Sequence, residues 1–132
     1  ADHLFATRLW QNNSKVHFDI NAREDKKRLI YGGHIISLVR ALSFNGLENA
    51  QLIVGINGGT HANPVFAEDT IYCWSEVLDK IDLNVRNIAA LRLRSVGTKE
   101  KNHHMKVKSD DGRYLPTIVL DFDYWVLVPK EL

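Results

Sequence analysis

The chain has 132 residues, 45% apolar and 25% charged, a length and composition that fit one globular domain around a single core. Seventeen lysines and arginines against sixteen aspartates and glutamates leave a formal charge of +1 without a continuous basic stripe, which argues against a nucleic-acid partner. No apolar run approaches the ~18 residues that a membrane span requires, residues 1–8 lack a secretory pattern, and the lone Cys73 has no partner for a disulfide, so a reducing cytoplasm is expected.

In chain order, Leu4, Phe5, Leu9 and Trp10 fall at helical spacing and predict a short helix, with Asp2 placed to cap it. Residues 12–19 and the charged run 23–28 read as surface loop with room for a helical turn. Ile35, Leu38, Val39 and Leu42 stand at i, i+3, i+4 and i+7, and Ile36 and Phe44 widen that face. The spacing predicts a helix over 32–46, stopped at Gly46 and wrapped on most sides.

Beyond it the period changes to two. Leu52, Val54 and Ile56 alternate, and residues 70–81, 89–98 and 117–128 are long β-type runs. The Gly-Gly pairs at 32–33 and 58–59 and the segment Asp110-Asp111-Gly112-Arg113 supply turn chemistry. One buried helix followed by strands on short turns predicts an α+β fold with an antiparallel sheet wrapped around a central helix.

Several residues could carry chemistry. His17 sits at the end of the polar loop, where an imidazole can exchange a proton near neutral pH or simply pack at a junction. Gly32 and Gly33 open the central helix, so first-turn N–H groups there could face a carbonyl oxygen that gains charge, or only provide a tight entry. His34 follows in the same turn and either reaches that cavity or covers the helix surface. His61, His103 and His104 read as ordinary loop residues without metal-ligand spacing. Asp121 and Asp123 alternate onto a solvated outer strand face, and Lys26, Lys27, Arg28, Arg92 and Arg94 could meet ligand phosphates.

Three ordered segments carry a resemblance. Arg28-Leu29-Ile30-Tyr31-Gly32-Gly33-His34 looks like the helix entry of MaoC-like hot-dog hydratases, and Asn63-Pro64-Val65-Phe66-Ala67-Glu68-Asp69-Thr70 looks like their Pro-Val-x-x-Gly-Asp-Thr segment. The hydratase signature Asp-x-Asn-Pro-x-His falls on Asn12-Asn13-Ser14-Lys15-Val16-His17, where only the histidine survives. With the ending Leu120-Asp121-Phe122-Asp123-Tyr124-Trp125-Val126-Leu127, the whole is similar to the mesaconyl-CoA hydratase, or β-methylmalyl-CoA dehydratase, group.

The resemblance implies a hot-dog fold and a hydro-lyase that adds or removes water at the double bond of a short branched enoyl-CoA thioester. It implies no cofactor, since coenzyme A belongs to the substrate. His17 would be the histidine of the acid–base pair, Asn12 would stand at the place of the usual aspartate, and Gly32, with Gly33 and His34, would bind the thioester carbonyl. A carboxamide cannot accept a proton at neutral pH, so Asp19, Glu24 or a water held by Asn12 would complete the pair. The family begins with a strand ahead of its first helix. This chain starts almost inside the helix, so residues 1–132 are read as one hot-dog domain or as the C-terminal half of a double hot-dog protein, working as a homodimer or beside a second hot-dog domain. A thioesterase and a noncatalytic half supporting an active partner are the alternatives.

Overall fold

The computed structural model describes residues 1–50, 52–101 and 105–130. Helix α1 spans Asp2–Leu9 and is followed by single 3-10 turns at Lys15–His17 and Ile20–Ala22. Ala1 takes the cap position of α1, so Asp2 lies inside the first turn, where a carboxylate still meets the free N–H groups of the helix end.

Helix α2 covers Gly32–Leu42, four residues shorter than its apolar spacing predicts. Ser43 ends it. Its N–H bonds back to the carbonyls of Val39 and Arg40, and its hydroxyl donates to the Arg40 carbonyl at 2.7 Å, after which the chain turns through to Gly46 at φ +86°.

Four antiparallel strands follow: β1 Leu52–Thr60, β2 Tyr72–Val85, β3 Ile88–Thr98 and β4 Ile118–Pro129, in the order β1-β4-β3-β2. Register explains their two faces. Leu91, Leu93, Ser95 and Gly97 of β3 lie opposite Val126, Tyr124, Phe122 and Leu120 of β4 on the helix side, while Arg92, Arg94 and Val96 lie opposite Trp125, Asp123 and Asp121 on the other. A tight turn through Arg86 and Asn87, with Asn87 at φ 61°, joins β2 to β3. Gly58 and Gly59, expected in a turn, lie inside β1 beside a register shift. A side chain at Gly59 would press on the Phe122 ring.

The helix docks on the sheet through Ile35 and Val39, which pack in one cluster with Leu93, Val119, Leu120, Tyr124 and Val126. Gly97 permits that approach, since a Cβ there would stand 2.7 Å from Cγ2 of Val39. Burying a side chain such as Val39 contributes about 1.5–3 kcal/mol. The expectation that α2 is wrapped on most sides needs correction: one four-stranded sheet covers one face, and at the C-terminal end Leu42 and, just beyond it, Phe44 remain 45% and 63% exposed. On the opposite face of the sheet, Val107 packs with Val96 and Ile118 against Trp74 and Tyr114.

Arg92 and Arg94 do not stand free for a phosphate. Arg92 grips Asp123 with two bonds of 2.9 and 2.6 Å, and Arg94 grips Asp121 with two of 2.8 Å, so the outer face is a row of forked ion pairs.

Candidate functional site

The site forms where three loop segments meet the entry to α2. The Leu29 N–H donates to the Val16 carbonyl at 2.9 Å, Ile30 donates to Val65 at 2.8 Å, and Leu29 bridges Phe66, so residues 28–30 tie the His17 turn to the segment after β1. Asn63 anchors that segment by donating its amide to the carbonyls of Leu115 and Ile118. Between these pieces lies a cavity of about 340 Å³, walled by His17, Gly32, His61 and Asn63 with apolar neighbours that include Ile35 and Val119.

His17 is buried, 8% exposed, in the 3-10 turn Lys15–His17. Its Nδ1 lies 2.8 Å from the Leu29 carbonyl oxygen, which can only accept, so Nδ1 carries the proton and the neutral ring keeps its lone pair on Nε2. The Tyr31 ring packs edge-on against it at 5.9 Å between centroids. The imidazole is thus fixed in tautomer and orientation, with one nitrogen left for chemistry.

Gly32 and Gly33 begin α2, where no carbonyl lies four residues back within the helix, and among the described residues no backbone acceptor meets either N–H. Gly32 lines the cavity. Its lack of a side chain has a specific cause, since a Cβ would stand 2.7 Å from Nε2 of His61. Gly33 lies under the Tyr31 ring and is not among the cavity residues. His34 opens instead onto a neighbouring hollow shared with His3, Glu68 and Asp69.

Asn12 is also outside the cavity. Its carboxamide oxygen accepts from the Ser14 N–H at 3.0 Å, an Asx turn that sets up the His17 turn rather than facing it. Asp19 caps the turn Ile20–Ala22 through the Asn21 N–H, and neither it nor Glu24 lines the cavity. His103 and His104 lie outside the described residues. Among the described residues no group of three His, Cys, Asp or Glu could hold a metal ion.

His61 is the residue that sequence reasoning missed. It is an exposed loop residue, as expected, and it also stands in the cavity wall against Gly32, where partial desolvation pushes its imidazole below the usual histidine value and favours the neutral ring. The available signal was its position two residues before Asn63-Pro64-Val65, the start of the segment that resembles the family's Pro-Val-x-x-Gly-Asp-Thr stretch.

Beside the cavity, Phe66 is ringed by cations. Arg23, Lys27 and Lys99 stand 5.4, 5.5 and 5.6 Å from its ring centre. Arg23 is paired with Asp25 and Lys99 with Asp69, whereas Lys27 makes no salt bridge among the described residues.

No family model matches the chain. Over 130 residues it is 58% identical to a mesaconyl-CoA hydratase of Cereibacter sphaeroides, covering 98% of this chain and 38% of that one. Over 136 residues it is 51% identical to a β-methylmalyl-CoA dehydratase of Chloroflexus aurantiacus, covering 99% and 39%. A crystal structure described as a MaoC domain protein dehydratase from Chloroflexus aurantiacus superposes with a TM-score of 0.93 at 49% identity, over 99% of this chain and 39% of that one. The fold is that of the MaoC-like hot-dog proteins.

The MaoC-like fold extends to an (R)-hydratase from A. caviae, with a TM-score of 0.63 at 17% identity over 97% of this chain and 86% of that one. That likeness concerns the fold alone. The chain spans about two fifths of the length of the curated relatives it matches. No helix among the described residues is long and apolar enough to cross a membrane.

Proposed function

We propose that the protein containing this MaoC-like unit is a hydro-lyase that adds water to, or removes it from, the double bond of a short branched enoyl-CoA thioester such as mesaconyl-CoA. The observation that carries the reading is the pairing, in one cavity, of a tautomer-locked His17 with the helix entry at Gly32. His17 is the acid–base histidine and presents Nε2 to the reacting carbons. The Gly32 N–H takes the thioester oxygen, which gains negative charge as the enolate forms, and the α2 dipole adds to that stabilisation. The names of the two curated relatives support the substrate class.

Lys27 and its neighbours at Phe66 suit the phosphates of the coenzyme A moiety. Two sheet edges support pairing with a second hot-dog unit, in a homodimer or in a longer chain: β1 exposes Leu52, Val54 and Ile56, and β2 exposes Val77, Ile81 and Val85. A cytoplasmic location suits a coenzyme A thioester enzyme with a free Cys73.

The test is incubation of the intact protein with mesaconyl-CoA. Loss of the enoyl absorbance without release of thiol is the expected result. Thiol release would establish a thioesterase instead. The diversion of Asn12 into an Asx turn favours one second reading, a half that supports an active partner unit. Unchanged turnover in His17→Ala would establish that reading.

A further inference from the structure

A hydration needs two proton-transfer groups, and the cavity holds no carboxylate: among the described residues that line it, the titratable side chains are His17 and His61. Asn12 is spent on the Ser14 N–H, Asp19 on the Asn21 N–H, and Glu24 lies elsewhere. His61 has the opposite character. Its ring stands in the cavity wall against the Gly32 backbone, in the space a Cβ would fill, and is open to solvent.

We propose that His61 is the second acid–base residue of this site, forming a two-histidine pair with His17 in place of the histidine and carboxylate of the hydratase signature. The inference rests on the hydro-lyase reading. In the hydration direction, neutral His61 accepts a proton from water as the water oxygen bonds to the β-carbon. The π electrons move toward the α-carbon and the thioester oxygen at the Gly32 N–H. His17, protonated on both nitrogens, gives its Nε2 proton to the α-carbon and returns to the neutral ring held by Leu29. One O–H and one N–H bond break, while O–Cβ, C–H and the new N–H of His61 form. The pair begins with its proton on His17 and ends with it on His61, and exchange with solvent restores the start. Dehydration runs the same steps in reverse. Partial desolvation in the cavity wall, which favours the neutral His61 ring, suits it to be the base of the hydration direction.

The experiment measures mesaconyl-CoA hydration by the intact protein, as wild type, His17→Asn, His61→Gln and His61→Phe, across the pH range in which histidines titrate. The wild type should give a bell-shaped kcat profile, because one imidazole must be neutral and the other charged. Both His61 variants should lose about 100-fold or more in kcat, with KM within about threefold and the bell reduced to one limb. His61→Gly should regain turnover on addition of imidazole. A single-limbed wild-type profile, or a folded His61→Phe with near-wild-type kcat, would overturn the proposal. If the wild type hydrates and His17→Asn does not while His61→Phe does, only the His61 role falls. If the wild type leaves the double bond intact, the hydro-lyase reading falls and takes the pair with it.

Discussion

The Nδ1 of His17 donates to the carbonyl of Leu29 at 2.8 Å, and the N–H of the same Leu29 bonds to the Val16 carbonyl at 2.9 Å. That pair of bonds fixes which imidazole nitrogen is available. His17→Asn keeps an N–H donor near the position of Nδ1 and removes Nε2. It should therefore fold with a nearly unchanged melting temperature and lose about 100- to 10,000-fold in kcat, as read by enoyl absorbance and thermal melting of the same preparation. A folded variant with wild-type turnover would remove His17 from the chemistry.

Gly32→Ala separates activity from stability. The new methyl would lie 2.7 Å from the Nε2 of His61 and 2.9 Å from its Cε1, and the end of a side chain can swing away. Turnover should fall by about tenfold or more through misplacement of the ring, with little loss of stability. Steady-state kinetics and a melting curve check both halves.

Gly97→Ala should do the reverse. Its methyl would meet Val39, Val119 and Leu120 at 2.7, 3.2 and 3.4 Å, inside the core where α2 docks on the sheet. The expected cost is about 1–3 kcal/mol of stability, measured by urea unfolding, with KM unchanged in the surviving folded protein.

The forked pair of Arg94 and Asp121 should appear in the acid limb of stability. The Arg94 guanidinium bound to Asp121 holds that carboxyl below the usual aspartate value, and Tyr114 adds a further donor. A carboxyl depressed in the folded state stabilises fully above its unfolded pKa and ceases to do so as pH falls through the folded value. Asp121→Asn should thus cost about 1–3 kcal/mol near neutrality. The difference from wild type should shrink below about pH 4. A difference independent of pH would contradict the pairing.

Reversal of Lys27, which makes no salt bridge among the described residues, by Lys27→Glu should raise KM for an acyl-CoA thioester several-fold and leave kcat nearly unchanged. The same kinetics with an acyl-pantetheine substrate, which lacks the nucleotide phosphates, should show no such increase.

The fold was legible where side-chain period and burial agree. The alternation of Leu91, Leu93, Val126 and Tyr124 predicts strands, and Ile35 and Val39 predict the packed face of α2. Local chemistry was harder to read. Ser43 stops α2 before Gly46 through backbone bonds that no apolar spacing reveals, and Gly58-Gly59 reads as a turn although its neighbours in β4 hold it in a strand. Within the site, His17 and Gly32 were legible as residue types at a loop end and a helix entry. Asn12 and His61 were not, because an Asx turn removes the first from the cavity and a tertiary contact across residues 32 to 61 brings the second into it.

The most direct test of the central claim follows oxygen from labelled water. The intact protein is incubated with mesaconyl-CoA in ¹⁸O-water and the products are weighed by mass spectrometry. Hydration predicts an intact thioester heavier by one labelled water, with the label in a new hydroxyl. A free acid bearing the label in its carboxylate, together with free coenzyme A, would contradict it.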